Sequence, residues 1–283
     1  MIASRPGHDL VVTQDALVEG VHFPQGEAPD LVARKALRVN LSDLAAKAAE
    51  PFACFLAVAW PSRFEVRDRE RFAQGLAVDL KAYDLSLMGG DTVVTPGPFT
   101  VSLTAMGWIP TGGMVRRAGA RPGDRVMVSG SIGDGVLGLE AVRGRIEDPD
   151  GYLAGRYRLP NPRLDLRDPL RGLATAAADV SDGLVADAGH IARASGVGME
   201  LDLDGLPLSE AALRWLAEQP DPVAARVRLA TGGDDYEVVC TLPPDAETPA
   251  GLTVIGRVQA GAGVVVRAAG RAVDVGSGGW KHL

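Results

Sequence analysis

The sequence predicts an α/β protein of two domains, and three observations carry that expectation. Short β-rich runs alternate with amphipathic helical segments along the chain, which is the pattern of layered α/β architecture. With 283 residues and 46% hydrophobic content the chain can bury a large core, and its length suits two medium domains. A turn-rich break at Pro110-Thr111-Gly112-Gly113 divides it into residues 1–112 and 113–283.

Asp9 to Thr13 reads as a short strand that delivers Asp15 at its end. Pro29 to Glu50 follows as an Ala- and Leu-rich helix stopped by Pro51, and Ala53 to Trp60 as a buried strand. Between Val66 and Tyr83, the apolar residues Phe72, Leu76, Leu80 and Tyr83 fall on one helical face. Leu85 to Met88 is a strand leading into Gly89-Gly90-Asp91, and Phe99 to Trp108 is another. The second half opens with a strand at Arg125 to Ser129, a Gly-rich turn and a helix near Gly135 to Val142. Pro160-Asn161-Pro162 precedes a helix reaching about Ala176, and Leu184 to Ala194 is helical. Strands are expected at Gly198 to Leu203, Tyr236 to Leu242, Leu252 to Val258 and Val264 to Ala268.

Composition excludes several classes of function. A net charge of -7 argues against a nucleic-acid or anionic-membrane surface, both of which need clustered positive charge. The longest apolar run, Phe52 to Trp60, is roughly half of what a membrane span needs. Cys54 and Cys240 each sit within an apolar run, so both are expected in the core and the setting is expected to be a reducing cytoplasm.

The informative signal is a series of acidic clusters set against Gly, Ser, Thr or Asn. They are Thr13-Gln14-Asp15, Asn40-Leu41-Ser42-Asp43, Gly89-Gly90-Asp91-Thr92, Gly133-Asp134-Gly135, Asp179-Val180-Ser181-Asp182-Gly183, Asp187 and Gly232-Gly233-Asp234-Asp235. An Asp beside Gly or Ser joins a hard oxygen ligand to a backbone that can approach an anion, as a divalent metal on polyphosphate requires. Each cluster also has an ordinary reading. Asp43 and Lys47 could form a solvated helical pair, Gly89-Gly90-Asp91-Thr92 could be a turn between strands, and Ser181 or Asp182 could cap a helix. Capping explains one residue and not three, which favours metal binding at Asp179 and Asp182. The Ser129-to-Gly135 loop has a strand before it and a helix after it, a context in which backbone amides cradle phosphate, though without a P-loop ending. Arg117, between Arg116 and Arg121, is either a phosphate ligand or part of a solvated basic turn. The scattered histidines and unpartnered cysteines show no nucleophile-base pair, so covalent catalysis is not expected.

In order along the chain, these words resemble those of the thiamine-monophosphate kinase family, which belongs to a superfamily with aminoimidazole ribonucleotide synthetase and selenophosphate synthetase. The resemblance rests on residues 13–23 (Thr-Gln-Asp-Ala-Leu-Val-Glu-Gly-Val-His-Phe), Asn40 to Ala46, Gly89 to Thr92, Arg117 to Ala120, Asp179 to Leu184 and Gly232 to Glu237. It implies an N-terminal α/β domain with a mixed sheet that pairs with a second subunit in a homodimer, and a C-terminal α/β domain. It further implies magnesium ions on Thr13, Gln14, Asp15, Asp43, Asp91, Asp179 and Asp182, and ATP on Gly90, Asp91, Arg117 and Ser181. Thiamine monophosphate would face His22, Trp280 and an acid of the Gly232-to-Glu237 segment, Asp234 before Glu237. The implied reaction is direct, magnesium-assisted in-line transfer of the γ-phosphoryl group of ATP to thiamine monophosphate. An acidic chain without a nucleophile-base pair agrees with it, since phosphoryl transfer depends on positioning and charge neutralisation.

The resemblance also implies a Gly-Ile-Gly-Asp-Asp-Ala type segment before the first strand, where this sequence reads Met1-Ile2-Ala3-Ser4-Arg5-Pro6-Gly7-His8. Gln14 stands where the family has Thr. The competing expectations are a nucleotide-binding homologue without turnover and another ATP-dependent synthetase of the superfamily. The His22 word and Trp280 speak against the synthetase.

Overall fold

The computed structural model describes residues 2–276 and 278–279. The chain forms two compact units, one comprising the residues up to Leu44 with Ala49–Met114, the other Ala45–Ala48 with the chain from Val115 onward.

The first unit is a four-stranded sheet with two helices. Its strands are β1 (His8–Val18), β2 (Glu50–Pro61), β3 (Ser86–Thr95) and β4 (Thr100–Pro110), and its helices α1 (Pro29–Ala46) and α2 (Val66–Ala82). The order is β1-β4-β2-β3, antiparallel except for the parallel β2–β3 pair. On β1, Val11 and Leu17 are buried while Val12, Gln14 and Ala16 are exposed, the period-two signature of a sheet covered on one face. The covered face packs on an aromatic cluster in which Trp60 stacks on Phe99 (5.5 Å) and meets Phe72 of α2 edge-on (5.1 Å). Buried Asp79 of α2 ties the helices together by accepting Arg38 Nε at 2.6 Å and Arg34 Nε at 3.1 Å.

The second unit is a seven-stranded mixed sheet with the strand order β11-β10-β7-β9-β5-β8-β6. Its strands are β5 (Arg125–Ser129), β6 (Ala176–Asp179), β7 (Gly198–Asp202), β8 (Val238–Leu242), β9 (Leu252–Gln259), β10 (Gly263–Ala268) and β11 (Arg271–Val273). Its helices are α3 (Asp134–Val142), α4 (Tyr152–Arg158), α5 (Arg167–Leu170), α6 (Leu184–Ser195), α7 (Glu210–Ala217) and α8 (Pro222–Thr231). The core joins Val126 and Val128 of β5, Ala176 and Ala178 of β6, and Leu184, Ala188 and Ile191 of α6. β8, paired with β5 on one side and β6 on the other, is buried at every position.

The α/β class, α2, β5 and α6 appear as expected, and Cys54 and Cys240 are both free and buried. Three readings are corrected. β1 continues to Val18, so Asp15 lies inside a strand and not at its end. Gly89-Gly90-Asp91-Thr92 is not a turn, because β3 continues through it beside β2, with a register shift just before Gly89. No long helix precedes Ala176; a 3₁₀ turn at Leu164–Leu166 and the one-turn α5 stop before Gly172, whose φ of 83° no helix accommodates. α4, α7 and α8 are helices that the sequence reading did not name.

Candidate active site

In the first unit, strand alternation turns Thr13 and Asp15 toward the helix-covered face, and α1 brings Asp43 to them. Thr13 Oγ1 donates to Asp43 Oδ2 at 2.5 Å. Burial, and then the nearby charge of Asp43, push the Asp15 carboxyl up to about 6. Two carboxylates and a hydroxyl, held together in partial burial, form a set of hard oxygen donors that suits a divalent cation such as Mg²⁺. Their mutual repulsion is what such a cation relieves. Gln14 is not part of this set. Its side chain points to the opposite face and donates to Ser102 Oγ at 3.2 Å, as the period of two dictates.

Asp91 is not brought to that face either. The register aligns it with Ala57, Ser102 and Ala16, the row of the uncovered face. Gly90 next to it must be glycine, because a Cβ there would lie 1.7 Å from the Leu56 carbonyl oxygen. His22 occupies the loop after β1, where its Nδ1 accepts the Val18 N–H at 3.0 Å. That bond puts the ring proton of the neutral imidazole on Nε2 and makes Nε2 a donor. Glu19 secures the same loop by accepting the Gly26 N–H (3.1 Å), the Phe99 N–H (3.1 Å) and Arg63.

In the second unit, β6 ends at buried Asp179 and the chain turns through Ser181-Asp182-Gly183 into α6. The capping explanation of Ser181 and Asp182 fails, because the N-cap is Gly183 and no side chain caps it. The Gly232-to-Glu237 segment runs alongside this turn: the Asp234 N–H donates to the Ser181 carbonyl (2.9 Å) and the Tyr236 N–H to the Val180 carbonyl (2.8 Å). Asp179, Ser181, Asp182 and Asp234 therefore sit on two adjoining stretches of backbone. Asp234 holds a left-handed φ of 61° and Tyr236 one of 52°, a strained pairing of the kind that functional loops retain. Arg117 is exposed, with its carbonyl accepting Ser195 Oγ at 3.3 Å. Burial, then the charges of Arg193 and Arg117, pull the His190 imidazole below its usual value. Gly279 packs on the start of α6, where a Cβ would come within 2.6 Å of the Asp182 carbonyl oxygen. Trp280 lies outside the described residues.

Two readings of the acidic words are corrected here. The amides of Gly133 and Gly135 are not open to phosphate, because buried Asp235 accepts both, at 3.0 and 2.9 Å. Burial pushes that carboxyl up to about 8. Glu237, the rival of Asp234, is fully buried and accepts Ser129 Oγ (2.6 Å), Arg156 (2.8 Å) and Arg163 Nε (2.5 Å), a structural ion network. Asp187, counted among the acidic clusters but given no role of its own, and His190, which the sequence reading left out, have ligand atoms within 4.8 Å of each other and of Asp182. Their i, i+3 spacing on one helix face, beginning five residues after Asp182, was the available signal.

Residues 1–109 match the family model of the AIR synthase related protein N-terminal domain, and residues 121–269 that of its C-terminal domain. The thiamine-monophosphate kinase of Caulobacter vibrioides is 55% identical over 291 residues, spanning 100% of this chain and 83% of that protein. The thiamine-monophosphate kinase of Escherichia coli K12 is 41% identical over 238 residues, 83% of this chain and 71% of that protein. Among solved structures, AaThiL complexed with AMPPCP and TMP superposes with a TM-score of 0.89 at 34% identity, covering 99% of this chain and 89% of that one. The thiamine-monophosphate kinase of Stenotrophomonas maltophilia K279a gives 0.85 at 38% identity, with 96% and 89% covered. With both domains matched and such identity sustained along its length, the chain belongs to the AIR synthase related proteins and, within them, to the thiamine-monophosphate kinase family.

Proposed function

We propose that the chain transfers the γ-phosphoryl group of ATP to the phosphate of thiamine monophosphate, giving thiamine diphosphate and ADP. The observation that carries the reading is 55% identity to a thiamine-monophosphate kinase over the whole chain; the carboxylates alone would suit many metal-dependent enzymes. A relative of the same fold has been solved with AMPPCP and TMP. In the transfer, a phosphate oxygen of thiamine monophosphate forms a bond to the γ-phosphorus in line with the bond that breaks to release ADP. Thr13, Asp15 and Asp43 in the first unit, and Asp179 and Asp182 in the second, are the residues that would hold Mg²⁺, with Asp91 a further ligand on the sheet's other face. Bound there, Mg²⁺ supplies neutralisation of the phosphate charges. Ser181 and Arg117 bind the nucleotide, together with Gly90 and Asp91 of β3. His22 donates from Nε2 to thiamine monophosphate, and Asp234 and Trp280 hold the rest of that substrate.

A homodimer is part of the proposal. β3 is an edge strand, exposed on both faces, and it carries Leu87, Met88, Val93 and Val94 at 43 to 61% exposure. Edge strands of that kind are covered in stable proteins, and a second copy of this sheet fits. A cytoplasmic setting agrees with the two free, buried cysteines. No helix among the described residues is long and apolar enough to cross a membrane.

The deciding experiment follows ADP and thiamine diphosphate together. Formation of both, requiring thiamine monophosphate and Mg²⁺, is expected; tight ATP binding with no thiamine diphosphate would replace the kinase with a nucleotide-binding protein. Phosphorylated protein trapped after mixing with labelled ATP alone would exclude direct transfer.

A further inference from the structure

Asp187 lies in the first turn of α6, only 3% exposed. A single oxygen, Oδ2, accepts two consecutive backbone donors, the Ser181 N–H at 3.0 Å and the Asp182 N–H at 3.1 Å. These amides belong to the turn that precedes the helix. Between these amides and Asp187, Gly183 adopts a φ of 124°, packed against the Thr231 backbone, where the chain enters α6. Two adjacent amides converging on one point are the arrangement by which a helix start binds an anion such as phosphate. Here the chain's own carboxylate fills that point.

We infer that Asp187 is a positioning residue: by holding the Ser181 and Asp182 amides on one oxygen it sets the Ser181 hydroxyl and the Asp182 carboxylate for the incoming metal-nucleotide, and withholds both amides from its phosphates. This rests on the kinase reading for the identity of the ligand, but the hydrogen-bonding role does not. The nucleotide contact at this turn is then made by the Ser181 side chain and not by the backbone. The role needs an acceptor oxygen rather than a negative charge, and that separates it from a role as metal ligand or proton acceptor.

The test compares Asp187→Asn, which keeps an acceptor oxygen, with Asp187→Ala, which does not. The Asn variant is expected within roughly threefold of the parent in KM for ATP, while the Ala variant rises roughly tenfold or more, with kcat changed less. Equilibrium binding of AMPPCP with Mg²⁺ is measured alongside, so that a chain lacking kinase activity still reports on the site. Equal damage in two folded variants would show that charge is required and overturn the inference; so would an unchanged KM and unchanged binding in the Ala variant. Should the Ala variant not fold, amide hydrogen exchange in the parent protein decides. Ser181 and Asp182 are expected to be protected without nucleotide, and protection that appears only on adding AMPPCP and Mg²⁺ would assign those amides to the ligand instead.

Discussion

Asp15 and Asp235 are raised carboxyls with different consequences. Asp15 has a folded value of about 6 against 3.8 for a free carboxyl, so its contribution to stability is present below about 4 and lost as pH rises through 6. In the metal-free protein, Asp15→Asn removes that loss. It is expected to stabilise the fold at pH 8 by ~3 kcal/mol, read by thermal melting in chelator, while greatly lowering turnover. A destabilised Asn variant would mean that Asp15 is already compensated without metal. Asp235, raised to about 8, costs stability over the wider interval between about 4 and 8. Asp235→Asn, which retains an acceptor for Gly133 and Gly135, should flatten that slope. Asp235→Ala strands both amides and should cost about 1–3 kcal/mol, measured by denaturant unfolding. The chemical kind of these residues was legible in the sequence; their division of labour was not. Asp234, Asp235 and Glu237 are neighbours in one word, yet Asp235 caps α3, Glu237 anchors two arginines and Asp234 stays partly exposed. Which neighbour is buried depends on contacts with β5 and α3, roughly a hundred residues away in sequence, and these leave no local trace.

At the level of elements, β3 carries the next prediction. Val94 is 61% exposed on an edge strand, so Val94→Lys should leave the unit folded while weakening self-association. Sedimentation velocity should then show the mass falling from dimer to monomer; a parent protein already monomeric would remove the role proposed for this edge. Elements with strong periodicity or sharp bounds, such as α2, β5 and α6, were readable. α7 and α8 carried readable start signals that the sequence reading did not use, Ser209 capping Ala212 and Asp221 capping ahead of Pro222. The turn alternative for Gly89-Gly90 fails for a physical reason: glycine here serves close approach to β2 and not chain reversal.

For the whole molecule, metal and nucleotide are expected to act as linked ligands. ATP added with Mg²⁺ should raise the melting temperature in proportion to the logarithm of its concentration above its Kd, and ATP in chelator should raise it little. Equal shifts in both conditions would place nucleotide binding outside the carboxylates. That a chain of net charge -7 could handle polyphosphate was foreseeable from its acidic words, since cations held there, as proposed, would offset the repulsion. The proposed homodimer was suggested in the sequence only through the family resemblance.

Around the Ser181 turn, three glycines face foreign backbone: an added methyl at Gly135 would fall 2.4 Å from Asp234, at Gly233 2.5 Å from Ser181, and at Gly183 2.9 Å from Thr231. Main chain there abuts main chain with no side chain between to act as a cushion. An engineer seeking new acceptors must leave that lattice intact and vary only what projects from it, so libraries at Ser181, Asp234 and Tyr236 should give folded variants where libraries at the glycines give none.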